Sequence, residues 1–114
     1  MTEATTDHKN AQIAANIENW NIRYADLTVT IDGKTYQANP NSIEQMTINL
    51  QQTNLPEGFF WVDSSNVKVS FDKAALQSLA DASIAARFTL FSTFQTRRAA
   101  ILAATTLEEI ADLI

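Results

Sequence analysis

The sequence has 114 residues, 46% of them apolar, with thirteen acidic against eight basic side chains and a net charge of −5. That length suits one modest core rather than two, the apolar residues never gather into a run that could cross a bilayer, and an acidic chain whose only adjacent basic pair is Arg97-Arg98 is repelled by a nucleic-acid backbone. The absence of cysteine removes disulfides, thiolate zinc sites and cysteine nucleophiles.

The first seven residues, Met1-Thr2-Glu3-Ala4-Thr5-Thr6-Asp7, are polar and hold neither the basic nor the apolar region of a secretion signal. They predict a flexible tail, residues 1–7, on a protein made and kept in a cytoplasm. Residues 8–114 read as a single α+β domain. Ile13, Ile17, Trp20 and Tyr24 recur at spacings of four, three and four, an apolar stripe along a helix whose other faces carry Lys9, Gln12, Asn16, Glu18 and Asn19. Such a stripe either docks on the core or pairs with its like in a second copy.

Leu27-Thr28-Val29-Thr30-Ile31 alternates strictly, and Asp32-Gly33 suits a two-residue hairpin turn because both positions tolerate positive φ. Closing Ile31 opposite Lys34 sets Val29 opposite Tyr36 and Leu27 opposite Ala38, so the apolar residues of both strands share one face. Pro40 then stops the strand, Ser42 with Gln45 reads as a capping box, and Ile43, Met46, Thr47 and Leu50 make a short amphipathic helix. After a turn at Pro56-Glu57-Gly58, residues 59–62 and 67–71 read as a second hairpin. With Ser64-Ser65 as its loop, Val62 faces Val67 and Phe60 faces Val69. Phe59 and Trp61 then occupy the other face, either covered by a helix or offered to a partner.

Asp72 caps a long helix over residues 73–104, which contains neither proline nor glycine. Its stripe runs Leu76, Ala80, Ile84, Phe88 and Phe91, widened by Leu79, Leu90 and Phe94. Unbroken, it would be about 48 Å long, against a diameter of about 35 Å for a compact domain of this size. The helix therefore breaks near Ser92-Thr93 or overshoots the domain. Thr106 with Glu109 opens a last helix with Leu107, Ile110, Ala111 and Ile114 on one face. The fold class is thus α+β: an N-terminal helix, two antiparallel hairpins separated by a short helix, a long C-terminal helix and a short final one.

Residues that could carry chemistry are few. The single histidine, His8, lies beside the polar tail, and the two glycines, Gly33 and Gly58, are both explained by turns, so no phosphate-cradling loop can be built. Asp32, Asp63 and Asp72 at strand ends could share a divalent ion, but caps and turns explain them more simply. Glu57 and Asp63 flank an aromatic strand without informative spacing. The expectation is a binding protein, not an enzyme, with no cofactor and no metal.

Three stretches, taken together, carry a resemblance. They are Val29-Thr30-Ile31-Asp32-Gly33-Lys34-Thr35-Tyr36-Gln37-Ala38-Asn39 followed by Ser42; Phe60-Trp61-Val62-Asp63 with Asn66-Val67-Lys68-Val69 running into Phe71-Asp72; and Arg98-Ala99-Ala100-Ile101 with Ala104-Thr105-Thr106-Leu107-Glu108-Glu109-Ile110. Over about residues 8 to 114 they resemble an uncharacterised domain family of tailed bacteriophages and prophages, common in tail-fibre and tail-fibre-assembly proteins. The resemblance implies a chaperone or accessory component at the host-recognition end of the tail, with a tail-fibre or other tail protein as partner. It would act in the host cytoplasm during assembly or within the virion tail. The family position of Asn39 is often aspartate, which takes support from an ion site there, and no catalytic residue transfers. A small phage-encoded inhibitor of a host protein is the alternative reading. The candidate contacts are Phe59 and Trp61 on the hairpin, and Phe88, Phe91, Phe94, Arg97, Arg98 and Ile101 on the long helix. Because Phe88, Phe91 and Phe94 advance by three, they cannot share one narrow stripe, and at least one is expected to meet another copy or the fibre.

Overall fold

The structure, a computed structural model, describes residues 3–111. Its elements follow the α+β order: α1 (Thr6–Ala25), β1 (Thr28–Ile31), β2 (Lys34–Gln37), α2 (Pro40–Leu50), β3 (Phe60–Val62), β4 (Lys68–Ser70), α3 (Lys73–Ala103) and α4 (Leu107–Ala111). The chain divides into two compact units, the first formed by Met1–Arg23 with Thr89–Ile114 and the second by Tyr24–Phe88. The residues expected as one domain are thus distributed over both.

In the first unit, α1 starts earlier than the sequence predicts. The Thr5 hydroxyl accepts from the His8 amide at 3.3 Å, and His8 Nδ1 accepts from the Thr5 amide at 3.2 Å, a reciprocal cap that draws Thr6 and Asp7 into the helix. Ahead of it, Glu3 bridges to Thr106 and the Ala4 amide donates to Thr105 O at 3.0 Å, so the stretch read as a flexible tail is tied to the turn after α3. Met1 and Thr2 lie outside the described residues. α1 runs antiparallel to the C-terminal part of α3: Lys9 Nζ donates to Leu102 O at 2.8 Å, Asn16 Nδ2 to Phe94 O at 3.1 Å, and Trp20 meets Phe91 edge-on and Phe94 at a tilt. Its inward line is therefore Ile13, Asn16 and Trp20. Ile17, predicted inside, is 46% exposed, and Asn16, predicted outside, is 1% exposed. The amide displaces the isoleucine because it can bond an α3 carbonyl.

Thr106 caps α4 as predicted, its hydroxyl accepting from the Glu109 amide at 3.3 Å, while the Glu109 carboxylate reaches back to the amide and hydroxyl of Thr105. Ile110 is buried; Ile114, predicted on the same face, lies outside the described residues.

In the second unit the first hairpin has the predicted register, Ile31 opposite Lys34 and Val29 opposite Tyr36, with the Ala38 amide donating to Leu27 O at 2.7 Å. Asp32 (φ 52°) and Gly33 (φ 74°) both sit in the left-handed region, which fits a primed turn. The α2 cap differs from the prediction: Asn39 is the cap, its side chain accepting from the Ser42 amide at 2.8 Å, and Pro40 begins the helix instead of ending a strand ahead of it. Tyr36, Met46, Leu76, Leu79 and Ala80 form the core, with Val29, Ile31, Leu50, Leu55, Phe59, Trp61, Val69 and Phe71 packed around them. Each of the fully buried Met46, Leu76 and Leu79 contributes about 1.5–3 kcal/mol.

α3 is continuous from Lys73 to Ala103, and the break considered at Ser92-Thr93 does not occur. The Thr93 hydroxyl donates to Thr89 O at 3.2 Å, so its polar group is satisfied within the helix. The predicted stripe is corrected as well. In the second unit Leu76, Leu79, Ala80 and Ser83 are buried while Ile84 and Phe88 are 48% and 66% exposed. Steps of four residues drift about 40° each around a helix of 3.6 residues per turn, so the line from Leu76 through Ile84 leaves the core by Phe88. Ser83 takes the inward place because its hydroxyl donates to Leu79 O at 2.8 Å.

Because nothing lies within 4 Å of a Cβ built on Gly33, replacing it tests backbone conformation alone. Gly33→Val should lose about 1–3 kcal/mol in denaturant unfolding, and Gly33→Asn, which tolerates positive φ, clearly less; equal losses would contradict the turn.

The Tyr36 phenol, 3% exposed, is held above the usual tyrosine range, chiefly by burial and then by the charges of Asp63 and Asp32. A raised native value means that the unfolded phenol ionises first. The associated stability is therefore complete below pH about 10 and is lost as pH rises through the native value. The stability difference between wild type and Tyr36→Phe should shrink as pH is raised through this range; a constant difference would contradict the assignment.

Candidate protein-binding surface

The β3–β4 hairpin determines which aromatic residues face outward. Its register is Phe60 opposite Ser70, Trp61 opposite Val69 and Val62 opposite Lys68, one residue away from the predicted pairing. The loop has three residues instead of two: the Asp63 amide bonds Val67 O at 3.0 Å, and Asn66 turns the chain with φ 63°. Asp63 Oδ1 accepts from the amides of Ser65 and Val67, both at 2.9 Å, and the Ser64 amide donates to Thr35 O of the first hairpin at 2.8 Å. The longer loop slides β4 by one position and brings Val69 opposite Trp61. Phe59 and Trp61, their ring centroids 6.4 Å apart, are half-buried against the core. Neither ring is fully covered, and Trp61 also reaches the groove described next.

The residue between them faces the other way. Phe60 is 44% exposed, with Lys68 Nζ 4.8 Å from its ring centroid. It lines, with Trp61 and Val62, a shallow groove of about 260 Å³ whose α2 side is Asn41, Ser42 and Gln45, with Gln37 at the end of β2. These polar groups are neutral amides and a hydroxyl. Such a lining hydrogen-bonds a peptide backbone while the aromatic ring takes an apolar side chain. Sequence reasoning passed over Phe60 because the two-residue loop paired it with Val69; the Asp-x-x-Asn pattern at Asp63 and Asn66 was the available signal.

On α3 the named contact residues separate. In the second unit Phe88 is the most exposed large apolar residue, and Arg87 beside it stacks on the Tyr24 ring and donates to the Tyr24 hydroxyl at 3.1 Å. In the first unit Ile101 is fully buried, so it belongs to the chain's own packing, contrary to its reading as a partner contact, and Phe94 is half-buried against Trp20. Arg97, half-buried, donates to Asn19 Oδ1 at 3.1 Å and does the same work. Phe91 meets Trp20 edge-on and remains 36% exposed, and Arg98 is exposed. Leu102, 46% exposed, was missed.

Of the three carboxylates considered for an ion, two are engaged with backbone, Asp63 as above and Asp72 with the Ala75 amide at 2.7 Å, and Asp32 sits in the hairpin turn. Among the described residues, no three histidine or acidic side chains gather where a metal could be held, and no helix is long and apolar enough to cross a membrane.

Fold and surface together define a small α+β protein whose second unit carries an aromatic-lined groove beside a β-hairpin. The chain belongs to the family described as a domain of unknown function (DUF4376), whose model matches residues 3–114. No curated protein and no solved structure matches the chain.

Proposed function

We propose that this chain is a non-catalytic protein-binding domain of a tailed phage, acting as a tail-fibre assembly chaperone or tail accessory protein, and that it holds its partner in the groove between α2 and β3. The phage setting is supported by the three motif stretches that resemble domains of tail-fibre and tail-fibre-assembly proteins. The binding role rests on Phe60. A phenylalanine left 44% exposed on a short strand, beside neutral hydrogen-bonding side chains, suits an apolar anchor from a partner segment. Burying a phenylalanine fully is worth about 1.5–3 kcal/mol, enough for one residue to dominate a small interface. The work is placed in the host cytoplasm during assembly, with the virion tail as the second location.

The test is capture of the tail-fibre subunit of the phage or prophage that encodes this chain, by wild type and by Phe60→Ser. The wild type should retain the subunit, and the variant, folded by circular dichroism, should bind at least about tenfold more weakly. No capture by wild type, or undiminished capture by the variant, would overturn the reading; capture of a host protein in place of the fibre would favour the inhibitor.

A further inference from the structure

The outer edge of β3 opens on the α2–β3 groove with its backbone hydrogen bonds unmade. The Phe71 amide donates to Phe59 O at 3.2 Å and the Asp63 amide to Val67 O at 3.0 Å, so residues 59, 61 and 63 turn their polar backbone toward β4. An antiparallel ladder alternates, and Phe60 and Val62 therefore turn theirs the other way. Among the described residues no hydrogen bond takes up these two amides and two carbonyls. Across the groove the same alternation applies to β2: the Ala38 amide bonds Leu27 O, so Thr35 and Gln37 present their backbone away from β1. Thr35 O is taken by the Ser64 amide at 2.8 Å, while Gln37 lines the groove.

Such an edge selects its occupant. A helix has its own amides and carbonyls bonded along its length and offers none to a strand, whereas an extended backbone presents both at the spacing of the edge. Exposed strand edges are ordinarily blunted by charge or proline, and Phe60-Trp61-Val62 contains neither. We propose that the groove takes an extended segment of the tail-protein partner as an added strand on β3. The segment's backbone pairs with Phe60 and Val62, and one of its apolar side chains lies beside the exposed Phe60 ring. This rests on the reading of the groove as the partner site and adds that main chain makes the contact.

Position 62 separates main chain from side chain. Val62→Pro removes an amide that faces outward and leaves the β3–β4 ladder its bonds, whereas Val62→Ala keeps the amide and shortens the side chain. The experiment is capture of the tail-fibre subunit of the phage or prophage that encodes this chain by wild type and both variants, each checked by circular dichroism. Amide hydrogen exchange of the wild type, alone and with the subunit, supplies a readout independent of the proline variant's fold. Val62→Pro should bind at least about tenfold more weakly than Val62→Ala, and the Phe60 and Val62 amides should exchange at least about tenfold more slowly in the complex. Capture that Phe60→Ser weakens while these two amides exchange as fast as before would overturn strand addition and leave the tail-protein reading standing. Equal binding by the two folded Val62 variants would do the same, and no capture by wild type would overturn both. Slowing of these amides in the chain alone as its concentration rises would mean that a second copy fills the edge, and would overturn the proposal.

Discussion

A helix of thirty-one residues with neither glycine nor proline is the constraint from which the rest of this structure follows. Nothing in residues 73–103 lets the backbone turn back, so the chain before and after must find its core along the length of α3. Tyr24–Phe88 builds around Leu76, Leu79 and Ala80; Met1–Arg23 and the chain from Thr89 onward build around Phe94 and Ile101. In the second unit α3 supplies Leu76, Leu79 and Ala80, and the hairpins, α2 and their connections supply the residues packed on them.

The polar groups that enter these cores are held by α3 itself. Ser83 bonds the carbonyl one turn earlier, and Asn16 bonds the carbonyl of Phe94 while its own Oδ1 has no hydrogen-bond partner. A buried acceptor left unpaired costs about 1–3 kcal/mol. The directed Asn16 bond, in exchange, ties α1 to one height on α3, the role a single buried asparagine plays in helix pairs elsewhere. Arg97 reaching Asn19 and Lys9 reaching Leu102 O reinforce the same alignment.

What could be read from the sequence was whatever depended on local chemistry alone. Asp32-Gly33 specifies its turn through two positive φ values, so the register of the first hairpin followed, and Asp72 and Thr106 are caps because their oxygens meet amides three residues on. The second hairpin was misread because Asn66 can take the left-handed conformation without being glycine, adding a residue to the loop. The α2 cap was misread because Asn39 competes with Ser42 for the same role, and Pro40, which suits the first turn of a helix, decides between them. The faces of the helices were harder still. Both α1 and α3 bury a polar residue where an apolar one was available a position later, Asn16 before Ile17 and Ser83 before Ile84; Asn16 is held by a carbonyl of another helix and Ser83 by the carbonyl four residues back in its own. The same displacement moved the candidate contacts. Phe60 joins Trp61 at the hairpin groove, Ile101 is buried, and Phe94 and Arg97 are half-buried against α1.

The continuity of α3 is the central claim, and amide hydrogen exchange along it tests that most directly. With the helix unbroken, the amides of residues 88–95 should exchange as slowly as those of the turns on either side, since each retains its carbonyl four residues back. Fast exchange confined to Ser92 and Thr93, between protected flanks, would mean that the helix breaks there.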